Sequence, residues 1–445
     1  MARKMRDSGV EWIGEVPEGW EVNLIGTFYS QRSEKVSDRD YAPLSVTMKG
    51  VLPQLSTVAK TDDGDNRKLV KKGDFAINSR SDRRGSCGIS EYDGSVSLIN
   101  TILMPRGEMD PRYYNWLFHT EAFADEFYKW GHGIVDDLWT TRWSEMKRIQ
   151  IVAPPLPEQR RIADYLDEKC AAIDGAVGEL KRGIEDCKAW KKAIIFEAVT
   201  GKANVLAASA CAKATADKKS AKVAKRQMRD SGIPWIGEIP EGWEVKPIKH
   251  LTSILPGYAF ESGDFKNEGI RLLRGINVGV GALRWDEVVY WEGKVPKEID
   301  DYRLNKGDLI VGLDRPWIAD GTRVAFVDEY DLPCLLVQRV CRMRARSSEV
   351  EPRIVFYWLS SEMFQEAIGC ETTGISVPHI STKQIEEFRM VLPPLPEQQA
   401  IANYLDEKCA AIDALVAEKE KLIADLEVYK KSLIFELVTG KREVA

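Results

Sequence analysis

Histidine is scarce, with four in 445 residues, and the eight cysteines are scattered without a single CxxC pair. This argues against a zinc site, and against a disulfide framework in a chain of this size. No window approaches the roughly 18 consecutive apolar residues of a membrane-spanning helix, so none is expected. The opening MARKMRDSGVEW is charged and has no apolar signal core, which reads as cytoplasmic. Thr200-Gly201-Lys202 and Thr439-Gly440-Lys441 lack the GxxxxGK[ST] context of a phosphate loop and follow helical stretches, so they read as helix stops. No Asn-Pro-Pro-aromatic motif of the adenine methyltransferase type is present, since Pro393-Pro394 lacks both flanks. Asp167-Glu168-Lys169 and Asp406-Glu407-Lys408 have no acidic partner on an upstream strand and read as solvated helix faces rather than nuclease sets. Catalytic and metal-binding residues are therefore not expected.

Broad basicity is missing too. The net charge is −6, with −2 over residues 1–150 and −6 over 231–392, while residues 202–230 carry +6. Any phosphate binding has to come from local clusters or from partner subunits. Hydrophobic content of 44% and charged content of 30% are those of a globular protein with a real core.

What dominates the sequence is a repeat. MRDSGVEWIGEVPEGWEV at Met5 to Val22 recurs as MRDSGIPWIGEIPEGWEV at Met228 to Val245. PPLPEQRRIADYLDEKCAAID at Pro154 to Asp174 recurs as PPLPEQQAIANYLDEKCAAID at Pro393 to Asp413. FEAVTGK at Phe196 to Lys202 recurs as FELVTGK at Phe435 to Lys441. The first block repeats at an offset of 223 and the second at 239, so the segment between them is 16 residues longer in the second half. Closely matched segments flank segments that barely match, which reads as one scaffold carrying two different variable domains.

The variable segments retain traces of one α+β fold. Lys72-Gly73-Asp74 and Lys306-Gly307-Asp308 each open an apolar strand-like run. Asp110-Pro111-Arg112 and Glu351-Pro352-Arg353 each open an aromatic, helix-like stretch. After PPLPEQ the pattern turns helical. Leu166, Cys170, Ile173, Val177, Leu180, Ile184, Cys187 and Ile194 form one stripe, and Leu405, Cys409, Ile412, Val416, Ile423, Leu426, Leu433 and Leu437 the other. Lys191 and Lys419 interrupt them. A spacing near 3.5 predicts two long helices packed together as a coiled coil. The alternative is two separate core helices, disfavoured by their length and charged outer faces. Five segments follow: a globular domain at 1–153, a scaffold helix at 154–202, an Ala/Lys-rich linker at 203–227, a second globular domain at 228–392 and a second scaffold helix at 393–445.

This order, with the P-E-GW entry and the PPLPEQ helix each occurring twice, resembles the specificity subunits of type I restriction–modification systems over essentially the whole chain. The resemblance implies two globular target recognition domains joined by two long helices, packed as an antiparallel coiled coil in a pseudo-two-fold repeat. It implies that each domain reads half of an asymmetric bipartite site in double-stranded DNA, with the helices setting the distance between halves. It further implies docking of two modification subunits, which carry S-adenosylmethionine and methylate adenine, and of two restriction subunits that translocate and cut DNA. No cofactor is expected in this chain. Rival readings are a restriction-enzyme fragment with its own activity, opposed by the missing motifs, and a coiled-coil adaptor for proteins. An adaptor has no need to vary two domains separately.

Candidate DNA contacts are chosen by residue type and place. Arg80, Arg83 and Arg84 follow a strand and sit beside Gly85; arginine forks suit guanine or phosphate, and glycine permits close approach. Lys49 is added in the same domain, as are Thr140, Thr141 and Arg142 in the loop before the long helix. In the second domain Arg315 occupies the matching place and Arg323 follows it, with Thr372, Thr373 and His379 in the matching loop. Arg274 and Asn277 form another segment, and Asn277 carries the donor–acceptor pair that matches adenine. Tyr165, Glu168, Tyr404 and Glu407 on the repeated helices are the candidate contacts to partner subunits. The entry tryptophans Trp12, Trp20, Trp235 and Trp243 read as scaffold packing.

Overall fold

The computed structural model describes residues 3–54, 64–80, 83–133, 139–206, 226–318, 321–369 and 378–444. Most of the Ala/Lys-rich linker, Ser81-Asp82, and Thr372 and Thr373 lie outside them. The chain forms two units that do not follow its two halves. Unit 1 is Met1–Arg182 with Lys419–Ala445, and unit 2 is Gly183–Glu418. Each unit thus holds one variable segment, the start of the helix that follows it, and the end of the other half's helix. No described helix is long and apolar enough to cross a membrane.

The entry block folds the same way twice. Met5–Asp7 pairs with Glu15–Pro17, and Met228–Asp230 with Glu238–Pro240. The following WEV strand then closes the neck of its variable segment. Glu21–Leu24 pairs antiparallel with Gln150–Ala153, the strand just before PPLPEQ, and Glu244–Pro247 pairs likewise with Arg389–Leu392. The two ends of each variable segment therefore emerge side by side.

Between them, unit 1 builds a four-stranded antiparallel sheet in the order Cys87–Ile89, Phe75–Asn78, Asn100–Pro105, Tyr29–Arg32. Unit 2 builds its counterpart in the order Thr252–Pro256, Val340–Ala345, Leu309–Gly312, Val324–Phe326. The Gly-Asp turns open one strand of each sheet. Asp74 caps its turn by accepting from the Lys71 amide at 2.9 Å and pairs with Arg32; Asp308 accepts from Asn305 at 2.7 Å and pairs with Arg344. Two short helices then cover each sheet. Asp110 and Glu351 cap the first of them, Pro111–Phe118 and Pro352–Leu359, with proline at the first helical position as the sequence pattern required.

The PPLPEQ motif is the joint. Its glutamate accepts from the entry indole: Trp20 Nε1 to Glu158 at 2.9 Å, Trp243 Nε1 to Glu397 at 3.0 Å. An arginine, Arg3 or Arg226, closes the same carboxylate and stacks over the same ring. The adjacent glutamine holds the capped helix, accepting from the Asp110 amide at 2.9 Å or the Glu351 amide at 2.8 Å. The prolines stop the neck strand and start the helix.

The helices Leu156–Val199 and Leu395–Val438 run for 44 residues each. In unit 1 the start of the first lies antiparallel to the end of the second, and in unit 2 the reverse. Lys430 reaches Asp174 at 2.6 Å in unit 1, and its repeat mate Lys191 reaches Asp413 at 2.7 Å in unit 2. Lys191 is therefore no interruption of the stripe but a tie across it. Leu166, Cys170, Leu433 and Leu437 are buried in unit 1, and Cys187, Ile194, Leu405 and Ile412 in unit 2. Burial falls to half at Val416, Ile423 and Leu426. Each helix ends on the other half's entry block. Gly440 meets Pro17 and Trp20, and Gly201 meets Pro240 and Trp243, each close enough that a Cβ would fall 2.5 Å from the proline ring. Both have φ of 74°, so the VTGK stop needs glycine twice over, for backbone and for space.

The buried Trp–Glu pair is testable by a thermodynamic cycle. Glu397→Ala leaves the indole N–H unsatisfied, at a cost of about 1–3 kcal/mol. Trp243→Phe alongside it removes that donor. Urea denaturation of the four variants is expected to show that the double substitution costs less than the sum of the singles.

Candidate DNA interface

Each unit brings two loops together at the end of its main sheet. In unit 1 the strand Phe75–Asn78 runs on into Ser79-Arg80, and Arg80 forms a β-bridge with Thr140. Thr141 donates its amide to Ser79 O at 3.0 Å, and His132 and Thr140 exchange backbone bonds. Arg80, Arg83 and Arg84 are thereby placed beside Thr140 and Arg142. Gly85 turns the chain back at φ 73°. Arg84 pairs with Asp125 and covers the Tyr128 ring, while Arg83 and Arg142 are exposed. Lys49 sits at the tip of the hairpin Leu44–Thr47/Gly50–Pro53. That hairpin lies against the strand Cys87–Ile89, where Gly88 leaves room for Gly50: a Cβ there would fall 2.7 Å from its Cα. Thr141 is fully buried and donates its hydroxyl to Phe127 O at 2.8 Å, so it braces the loop and offers nothing to DNA.

Unit 2 repeats this arrangement with other side chains. Asp314, just past the strand Leu309–Gly312, forms a β-bridge with His379, and Arg315 donates its amide to Pro378 O at 2.7 Å. Arg315 and His379 are exposed. Arg323 is half-buried and spends its donors inward, on Val278 O at 2.8 Å and Asp314 O at 3.1 Å. Burial pulls its pKa down, Asp314 opposes this and Arg315 adds to it, yet a guanidinium remains charged at any pH of interest.

Asn277 requires a correction. Its side chain is 1% exposed; Oδ1 accepts from the Arg274 amide at 3.1 Å, and Nδ2 donates to Arg284 O and Glu287 O at 2.9 Å. The amide that matches adenine is consumed in shaping its own turn. Arg274 is half-buried and bonded to Glu287 O at 3.1 Å.

The repeated helices carry more than was read from them. Asp167 binds Arg112 at 3.1 Å and the Trp116 indole at 2.8 Å; Asp406 binds Arg353 and the Tyr357 hydroxyl at 2.6 Å each. They tie the capped helix of each variable segment to the scaffold and are not idle solvated carboxylates. The signal lay in the repeat: Asp/Glu-Pro-Arg and Tyr-Leu-Asp-Glu recur together. The pKa of each arginine is raised, Arg112 by its hydrogen bonds to Asp110 and then Asp164, and Arg353 by those to Glu351 and then Asp406. Tyr165 and Tyr404 are half-buried with Lys169 and Lys408 over their rings, and Glu168 and Glu407 point to solvent. Among the described residues no group of three or more His, Cys, Asp or Glu is placed to hold a metal.

A duplicated frame presenting two unlike, arginine-bearing loop pairs now meets what is known of other proteins. Residues 240–424 match the family model of the type I restriction modification DNA specificity domain. A type I restriction enzyme specificity subunit, MjaVIII of Methanocaldococcus jannaschii, is 28% identical over 96% of this chain and 94% of its own length. Over nearly its whole length the chain is thus similar to a type I restriction specificity subunit, and over residues 240–424 to the specificity-domain model. The EcoAI specificity subunit of Escherichia coli is 38% identical over 38% of this chain and 29% of its own. Among solved structures, a chain from a type I restriction–modification complex aligns with a TM-score of 0.67 at 14% identity, covering 96% of this chain and 99% of that one. The HsdS subunit of Thermoanaerobacter tengcongensis gives 0.52 at 15% identity, over 96% and 98%. The matched model is that of a DNA specificity domain, and the matched relatives are named specificity subunits.

In this fold Asn277 becomes a stability residue. Asn277→Ala strands the Arg284 and Glu287 carbonyls and is expected to cost about 1–3 kcal/mol. The check is a lower urea midpoint, with the half-site preference of the remaining folded protein unchanged.

Proposed function

We propose that the chain reads an asymmetric, two-part site in double-stranded DNA, one part by each unit, in the cytoplasm. It does so as the docking scaffold of a restriction–modification complex. The observation that carries this is the pairing of sameness with difference. The neck, joint and helix ties coincide in the two units, while the side chains on the matching loops do not: Arg80, Arg83, Arg84 and Arg142 in one, Arg315, Arg323 and His379 in the other. A frame that holds different readers in equivalent places suits a site whose halves differ in sequence.

The partner reading rests on what does not vary. Tyr165 with Glu168 and Tyr404 with Glu407 present the same side chains on the same helix face in each unit. Identical surfaces call for two copies of one partner, here two modification subunits, with two restriction subunits joining them. The modification subunits bring S-adenosylmethionine and transfer its methyl group to adenine. The modest negative charge of the chain fits this division, since much of the phosphate binding falls to those partners.

The test is to co-express the chain with its modification subunit and map methylated adenines across host DNA. A single site of two unlike parts with a fixed spacer is expected. Replacing Arg83 and Arg84 with alanine is expected to weaken preference at one half-site by about tenfold, within the 1–3 kcal/mol of a good base contact, and to leave the other unchanged. Equal loss at both halves refutes the one-unit, one-half assignment.

A further inference from the structure

We infer that Arg339 is a specificity-determining residue of unit 2, reading a guanine, with Asp314 and His379 as the groups that position it. This rests on the reading of unit 2 as a DNA-binding unit.

Among the described residues the non-glycine positions with positive φ are Arg315, at 44°, and Arg339, at 68°. A side chain in this region is disfavoured, and a turn with purely structural demands takes glycine or asparagine there. Both positions are arginines, and both flank Asp314. Arg339 ends the turn between the strands Cys334–Leu336 and Val340–Ala345. Its carbonyl accepts from the Leu313 amide at 2.9 Å, and Leu313 O accepts from Ile380 at 2.9 Å, which fixes the three segments in one plane of backbone bonds.

The side chains follow. Arg339 Nη1 lies 3.1 Å from Asp314 Oδ2, and the other oxygen of Asp314 lies 2.6 Å from His379 Nδ1. The Arg339 side chain is nonetheless 73% exposed. A guanidinium held at one nitrogen still has parallel N–H groups to present, and two of them match O6 and N7 of guanine. The adjacent carboxylate disfavours a phosphate at the same place by like-charge repulsion, which favours a base edge over the backbone. The corresponding turn of unit 1, Ser97-Leu98-Ile99, has no cation, so this reader belongs to one half-site alone.

Arg339→Gly makes a clean test, because glycine accepts the backbone angle and the fold should keep or gain thermal stability. The assembled methyltransferase complex would be measured against duplexes carrying its mapped site, with each guanine of the second half-site replaced singly by 7-deazaguanine, which lacks N7. For the unsubstituted chain one such replacement is expected to cost about tenfold in affinity. Arg339→Gly is expected to lose about tenfold on the natural duplex and nothing further on that analogue. An unchanged affinity, a loss that leaves the analogue effect intact, or a second half-site without guanine overturns the assignment. Failure of the underlying reading shows separately: exchanging the whole segment between Val245 and Pro393 would then leave the second half-site unaltered.

Discussion

The structure depends on one exchange: the end of each long helix closes the unit built on the other half's variable segment. Leu433, Leu437 and Val438 complete the core that holds Trp20 and Tyr113, and Ile194, Ala198 and Val199 complete the one that holds Trp243. Tyr113 donates its hydroxyl to Val438 O at 2.7 Å, across 325 residues of sequence. Neither half can bury its entry block with its own helix end. This is why both helices must be long and uninterrupted, and why VTGK is kept twice: each glycine stands where the arriving helix has to stop against a proline and an indole.

From that constraint the freedom of the variable segments follows. A segment whose two ends leave side by side through a paired neck meets the long helices through its two short helices, the second by Glu121 to Lys431 or Glu362 to Lys192. The first short helix is held by a cap to its own amide, by Gln159 or Gln398 to the amide before it, by Arg112 or Arg353 to the scaffold carboxylates, and by Trp116 or Tyr357 to Asp167 or Asp406. Beyond these, loops of different length and charge can be carried without disturbing the joint. Individually such partly exposed ion pairs contribute little to stability. Their value is geometric, since a reading loop is useful only if its orientation to the scaffold is fixed.

Much of this was legible in the sequence because it is local or repeated. Helix period, proline starts, glycine stops and the capped Asp-Pro-Arg helix all lie within a few residues, and the duplication announced the frame. What was hidden depended on contacts across the chain. Lys191 looked like a break in an apolar stripe because Asp413 is 222 residues away. Asp167 looked idle because Trp116 and Arg112 reach it only in the fold. Asn277 was misread by residue type, since the turn that consumes its amide is set by Arg284 and Glu287 further along. Arg339 went unnoticed for the opposite reason: its mark is a backbone angle, and the one sequence trace was an arginine in V-Q-R-V, where a tight turn between apolar runs favours glycine.

The exchange of helix ends is tested most directly by zero-length carbodiimide crosslinking with mass-spectrometric readout, which joins amines to carboxylates already in contact. The account predicts links between Lys430 and Asp174 and between Lys191 and Asp413. Links from Lys191 to Asp425 or Glu427 in place of these would require parallel helices and would contradict it.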